Sequence, residues 1–301
     1  MPAVPPLPAV LGAIVSVQGG AALAKGLFPA LGAAGTVGLR IGLSAIILLA
    51  AFRPSLRRLS AAQWRAVLPY GVVLGTMNML FYFSLSRIPL GLAVTVEFIG
   101  PLAVAVFGSR KAIDVLWVVL AGAGIALIAP WTGGGGVDPI GVLLALGAGC
   151  CWAAYIVLGG RLSRILPGGA AVSVGMLVAA VTAVPVAAAM GGFAHLTLGR
   201  LAAGLGVALL SSAIPYTLEM IALKAIPART FGILMSLEPA VAAITGLLLL
   251  AEVLTPTQWM AVALVIAASA GSTLTSRSAA ADAAGEAAAK DPGEGDGWQG
   301  G

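Results

Sequence analysis

The chain has 301 residues, 60% hydrophobic and only 9% charged, with a mean hydropathy of +1.06. A soluble domain carries about a quarter charged residues, so a soluble fold is excluded and the composition specifies an all-α polytopic membrane protein embedded in a lipid bilayer. The formal charge of +5 does not indicate a nucleic-acid partner, because the basic residues fall singly or in small groups between apolar runs, with no interleaved aromatic stripe.

A spanning helix needs about 20 mostly apolar residues. Runs between Pro, Gly and charge predict ten spans, near 9–28, 31–51, 66–86, 89–109, 114–130, 137–159, 170–189, 201–223, 227–250 and 257–274. Residues 1–8 (MPAVPPLP) lack the basic start of a cleavable signal peptide. In the first span Gln18 and Lys25 share a face, and Lys25 is expected to snorkel to the outer interface. The second carries the stripe Thr36, Arg40 and Ser44; the third carries Gly71, Gly75, Asn78, Tyr82 and Ser86. Glycines in such stripes are expected to serve close helix packing.

The fourth span holds Glu97 inside VTVEFIGP, where Pro101 removes the backbone donor for the Glu97 carbonyl and predicts a bend. The run GGGG at 133–136 reads as an outer turn. Cys150 and Cys151, adjacent in an apolar run, read as small packing residues, since no CxxC spacing offers a metal site. Ser212, Tyr216 and Glu219 form a stripe in the eighth span, with Glu219 near the interface. In the ninth, Glu238 directly precedes Pro239. The Ala/Gly/Asp/Glu-rich tail, 276–301, is expected to be disordered.

The two halves repeat one design. SRIPLGLAVTVEFIGP is matched by KAIPARTFGILMSLEP, with Pro89 and Pro227, and Pro101 and Pro239, each 138 residues apart. Five spans per half is an odd number, so residues 9–130 and 137–275 are expected to sit in opposite orientations, a plan of secondary transporters with a midplane site. With a cytoplasmic N-terminus, twelve Lys and Arg fall on inner connections or the tail and three on outer ends. Both termini are therefore expected to face the cytoplasm.

A charge at the bilayer centre costs about 2.5–3.5 kcal/mol on insertion scales and marks substrate paths or proton relays. Arg40 and Glu97 permit two readings. They form a buried ion pair that limits the cost of both charges, or they clamp a zwitterion, the Arg40 fork taking a carboxylate and Glu97 facing an ammonium or carrying a coupled proton. Glu238 is a second proton-coupling candidate, or a structural partner for another helix.

The runs SVQGGAALAKGLFP, GLAVTVEFIGPLAVAVFGSRKAIDVLWVVLAG, GAGCCWAAYIVLGGR and SSAIPYTLEMIALKAIPARTFGILMSLEPA resemble the drug/metabolite transporter superfamily, specifically its EamA-type ten-helix exporters of the bacterial inner membrane. The likeness covers nearly the whole chain except the termini. It implies export of small amino acids of the threonine and homoserine kind by proton-coupled alternating access. The residues expected to contact substrate are Arg40, Asn78, Tyr82, Glu97, Tyr155, Tyr216 and Glu219. Another metabolite, a drug, or import by the same fold are the alternatives.

An enzyme is disfavoured: Asp114 and Asp138 lie near segment ends, and His195 is the single histidine. The chain has no GxxxxGK[ST] motif for ATP and calls for no cofactor or metal. Nothing in it sets an oligomeric state.

Overall fold

A computed structural model of the chain describes residues 5–107, 113–128, 137–162, 164–166, 168–226 and 228–290. The expected outer turn at 133–136 lies outside them. Each of the ten expected spans is helical. Seven are single helices: α1 (Pro6–Gly26), α2 (Phe28–Phe52), α3 (Ala61–Leu85), then, past a broken fourth span, α6 (Ile113–Ile128) and α7 (Pro139–Leu162), and later α8 (Gly168–Ala189) and α13 (Pro256–Lys290). The fourth span is split into α4 (Leu90–Glu97) and α5 (Ile99–Phe107). Beyond α8 (Gly168–Ala189), the eighth span runs as α9 (Leu198–Ala208), a π-helical turn (Leu209–Ala213) and α10 (Ile214–Ala225). The ninth is split into α11 (Ala228–Met235) and α12 (Glu238–Leu250), and α13 (Pro256–Lys290) closes the chain.

Seven stretches are long and apolar enough to cross a bilayer on length and composition, and Leu90–Val104, Ile113–Leu127 and Leu198–Ala213 are shorter apolar helices. Large apolar side chains such as Leu143, Val181 and Leu248 are exposed on the outer surface. That arrangement suits a molecule whose solvent is lipid rather than water.

Local chemistry sets the helix ends. Ser60 Oγ accepts from the Gln63 backbone amide while Gln63 Oε1 accepts from the Ser60 backbone amide, a capping box that starts α3. Gly32, at φ +65°, supplies the left-handed backbone that kinks the start of α2. Among the helix packings, α3 lies against α7 and α8, α1 against α10 and α12, α2 against α8 and α9, α4 against α12 and α7, and α6 against α13.

The bend predicted from Pro101 is present, and a second accompanies Pro239. Span four breaks at Phe98, four residues after Val94 and directly after Glu97. Span nine breaks at Ser236–Leu237, with Pro239 in the first turn of α12, where its missing donor costs nothing. The break beside Glu97 is held by close approach: a Cβ on Gly149 of α7 would sit 2.7 Å from the Glu97 carbonyl oxygen. The glycine stripe of α3 also packs: Cβ atoms on Gly71 and Gly75 would collide with Val178 and Thr182 of α8.

Two expectations are corrected here. The tail expected to be disordered from Ser276 continues as α13 to Lys290. Its stretch SRSAAADAAGEAAAK is rich in Ala, the strongest helix former, and that propensity outweighs its low hydrophobicity. Lys25 does not merely snorkel. Its Nζ lies 2.5 Å from Glu252 Oε1 and donates to the Ile88 carbonyl at 2.8 Å.

Candidate functional site

The two breaks bring α4 and α12 beside α1, α2, α3 and α7 around a hollow of 140 Å³. Gln18, Arg40, Asn78, Tyr82, Glu97 and Glu238 line it, joined by Trp152 of α7 and Ser211 of the π-helical turn. Five of these eight were legible as candidates: Arg40, Asn78, Tyr82, Glu97 and Glu238.

Arg40 is held in place without being neutralised. Its Nη1 donates to Asn78 Oδ1 at 2.6 Å, and Asn78 in turn donates to the Leu74 carbonyl at 2.8 Å, which fixes the amide's orientation. The guanidinium lies 5.5 Å from the centre of the Tyr82 ring, a cation–π distance. A guanidinium has five N–H donors, so one bond to Asn78 leaves donors for a further acceptor. Among the described residues no ion pair joins Arg40 to Glu97 or to any carboxylate; the pairs found are Lys25–Glu252 and Arg87–Asp138. The direct buried ion pair, one of the two readings of these charges, is therefore not what this conformation contains.

The carboxylates are buried, Glu97 at 8% exposure and Glu238 at 7%. Glu238 Oε1 accepts from Gln18 Nε2 at 3.2 Å, while its Oε2 has no hydrogen-bond partner among the described residues. A buried oxygen without a partner costs about 1–3 kcal/mol or more, so such a group calls for a proton or a ligand. Glu97 has its carboxylate on the same hollow and its backbone at the α4 break.

The π-helical turn has a sequence cause. Pro215 cannot donate to the Ser211 carbonyl, so the ladder widens one turn before it. The disturbed turn is secured from outside: Ser16 Oγ donates to the Leu210 carbonyl at 2.7 Å, and Ser44 and Ser212 hydroxyls bond at 2.8 Å. Such turns recur at functional sites, and here Ser211 faces the hollow.

Two expected substrate contacts are placed otherwise. Tyr155 stacks on Tyr70 at 4.9 Å in a separate hollow of 250 Å³ bounded by α3, α7 and α8. Trp152, one turn earlier on α7, takes the central position instead. Glu219 is half-buried on α10 and is not among the described residues that line the hollow. The side chain of Tyr216 lies outside the described ones. Conversely, the sequence reading missed Gln18, Trp152 and Ser211 as lining residues. For Trp152 a signal exists: a tryptophan deep within a span sits away from the interfacial belts where that residue concentrates.

At one mouth of the bundle a further ion pair is found. Arg87 Nη1 lies 2.8 Å from Asp138 Oδ2, joining the end of α3 to the start of α7, and Asp138 Oδ1 accepts from the Ile140 amide. The hydrogen bond from Arg87 holds the Asp138 carboxyl below its usual range. Among the described residues no group of three or more His, Cys, Asp or Glu could hold a metal ion.

Residues 139–274 match the EamA-like transporter family. The chain is 50% identical to the threonine/homoserine exporter RhtA of Escherichia coli over 278 residues, 92% of this chain and 94% of the relative. It is likewise 50% identical to RhtA of Salmonella typhimurium, over 90% and 92% of the two chains. A protein of known crystal structure, 21% identical, superimposes with a TM-score of 0.59 over 89% of this chain and 97% of the other, which supports the fold. The relatives are transporters rather than enzymes, the spans are those of a multi-pass membrane protein, and on these grounds the chain belongs to the EamA-like transporter family.

Proposed function

We propose that this chain is a bacterial inner-membrane exporter of small amino acids of the threonine and homoserine kind, coupled to protons and working by alternating access. The observation that carries the reading is a guanidinium and two carboxylates lining one hollow with no ion pair among them. Unpaired charge of both signs is what a zwitterion would complete. The substrate carboxylate takes the free donors of Arg40, in the bidentate geometry a guanidinium favours, and its ammonium faces Glu97. Glu97 or Glu238 carries the proton in the return half of the cycle.

The size of the hollow supports a small cargo. Its 140 Å³ falls below the about 300–1,000 Å³ typical of sites for drug-sized ligands. The names of the relatives point to the same substrate class.

The moving parts in this reading are two inverted repeats, residues 9–130 and 137–275, with both termini in the cytoplasm. Support comes from packing that recurs with the halves exchanged: α3 on α7 is matched by α10 on α1, α3 on α8 by α9 on α2, and α5 on α7 by α12 on α1. The fourth and ninth spans, which carry the two acids, are broken at matching places.

Reconstituted in vesicles, the protein is expected to exchange internal threonine for external radiolabelled threonine and to accumulate it against a pH gradient. With Glu97 as the proton carrier, Glu97→Gln is expected to abolish the response to the gradient at normal protein level. Gradient-driven accumulation that survives the substitution removes Glu97 from coupling; failure of any exchange by the wild-type chain removes the substrate assignment.

A further inference from the structure

A second hollow of 200 Å³ lies on the other side of the helix breaks. Phe98, Trp152, Met235, Glu238, Ser269 and Thr273 are among its lining residues. Glu238 and Trp152 also line the first hollow, so these two residues border both chambers. Along span four, the first hollow meets Val94 and Glu97, whereas the second meets Phe98, Pro101 and Leu102 beyond the break. Along span nine, the second hollow meets Gly232 and Met235 before the break. Spans four and nine run oppositely in the proposed topology, so both place this hollow in the cytoplasmic half.

The chemistry of the second hollow differs from that of the first. Arg40 belongs to the first hollow alone, and among the described residues lining the second there is no cation. It does hold acceptors. Glu238 has the carboxylate oxygen left without a partner, and Pro239 denies the Met235 carbonyl its helical donor. The hydroxyls of Ser236, at the break after α11, and of Ser269, on α13 in this wall, bond at 3.0 Å. Trp152 is braced edge-on against Phe98, with ring centres 5.4 Å apart, at the break itself.

We propose that this hollow is a second amino-acid site, a cytoplasmic vestibule that selects the ammonium group through Glu238 and the Met235 carbonyl, and that the Trp152 indole is the barrier between it and the Arg40 chamber. The proposal rests on the exporter reading. It divides recognition into two steps, ammonium first and carboxylate second, with Glu238 reachable from both sides of the indole.

The division is testable with a ligand that has only one of the two groups. In a chain with Cys150 and Cys151 replaced by Ala, Thr273→Cys reports the vestibule and Ser211→Cys reports the Arg40 chamber. Threonine at ten times its Kd is expected to slow thiol modification about tenfold at both positions. Threoninol, whose carboxylate is reduced to an alcohol, is expected to protect Thr273→Cys only, and Glu238→Gln to abolish that protection. Protection by threonine at Ser211→Cys with none at Thr273→Cys overturns the vestibule while sparing the exporter reading. Protection at neither position overturns both. For the barrier, Trp152→Ala is expected to speed modification of Ser211→Cys by a reagent supplied from the cytoplasmic side, and Trp152→Phe to leave it near the wild-type rate. Equal rates for Trp152→Ala and the wild-type residue contradict the barrier role.

Discussion

Glu252 and Glu238 both sit at ends of α12, and the molecule treats them in opposite ways. Glu252, just past the C-terminal end, is saturated: Lys25 lies at 2.5 Å from one oxygen, and the other accepts the Leu90 amide at 2.7 Å. That second bond satisfies a donor at the start of α4, where helix amides have no partner of their own. One carboxylate thereby fastens the adjoining ends of α1, α4 and α12 together. Glu238, in the first turn of the same helix, receives one bond from Gln18 and keeps one buried oxygen bare. Glu97, on α4, lines the hollow without a cation on it. Saturated charge holds helices in place, and unsaturated charge leaves capacity for something that arrives and departs.

The comparison is broken most severely by disturbing the backbone beside Glu97. Gly149→Ala places a methyl group against the Glu97 carbonyl, and overpacking of this kind costs about 1–3 kcal/mol. Both thermal stability in detergent and threonine exchange are expected to fall, because the same contact seats the helix break and the carboxylate. Next in size is Lys25→Met, which leaves Glu252 without its cation. The two side chains are 21% and 14% exposed, so water screens part of the loss, and about 1–2 kcal/mol of stability is expected to disappear. Threonine affinity is expected to stay unchanged. A loss of affinity without a loss of stability would show that the pair belongs to the binding machinery and not to the frame.

Gln18→Leu sharpens the other side of the contrast. It removes the donor to Glu238 and is expected to cost about 1 kcal/mol of stability while altering the pH dependence of exchange. The smallest effect is expected at the mouth of the bundle, where Arg87→Ala frees Asp138. Because the folded Asp138 carboxyl titrates below its usual value, the pair contributes stability above about pH 4, the ordinary Asp range. That contribution is lost as pH falls through the lower folded value. Melting curves of wild type and Arg87→Ala are therefore expected to differ slightly at neutral pH and to converge in acid.

Much of this was readable from the chain alone. Hydropathy locates the ten spans because a bilayer demands continuous apolar length, and Pro101 and Pro239 mark the breaks because a missing N–H acts locally. Arg40 and Glu97 stand out because charge at that depth is costly wherever it points. What required coordinates was direction. Trp152 and Tyr155 are three residues apart on α7, yet one faces the central hollow and the other stacks on Tyr70. Lys25 finds Glu252 far along the chain, a partnership created by α1 and α12 packing together and by nothing in the local sequence. Gln18 read only as sharing a face of its helix with Lys25, and packing alone places Glu238 beside it.

The central claim is that the Arg40 guanidinium receives the carboxylate of the transported amino acid. Equilibrium binding of radiolabelled threonine to the purified protein tests it directly, comparing wild type with Arg40→Ala at matched melting temperature. Loss of a charge-assisted contact worth about 1.5–3 kcal/mol predicts affinity weaker by about 10- to 100-fold, with no matching loss for threoninol. Unchanged threonine affinity in Arg40→Ala would contradict the account.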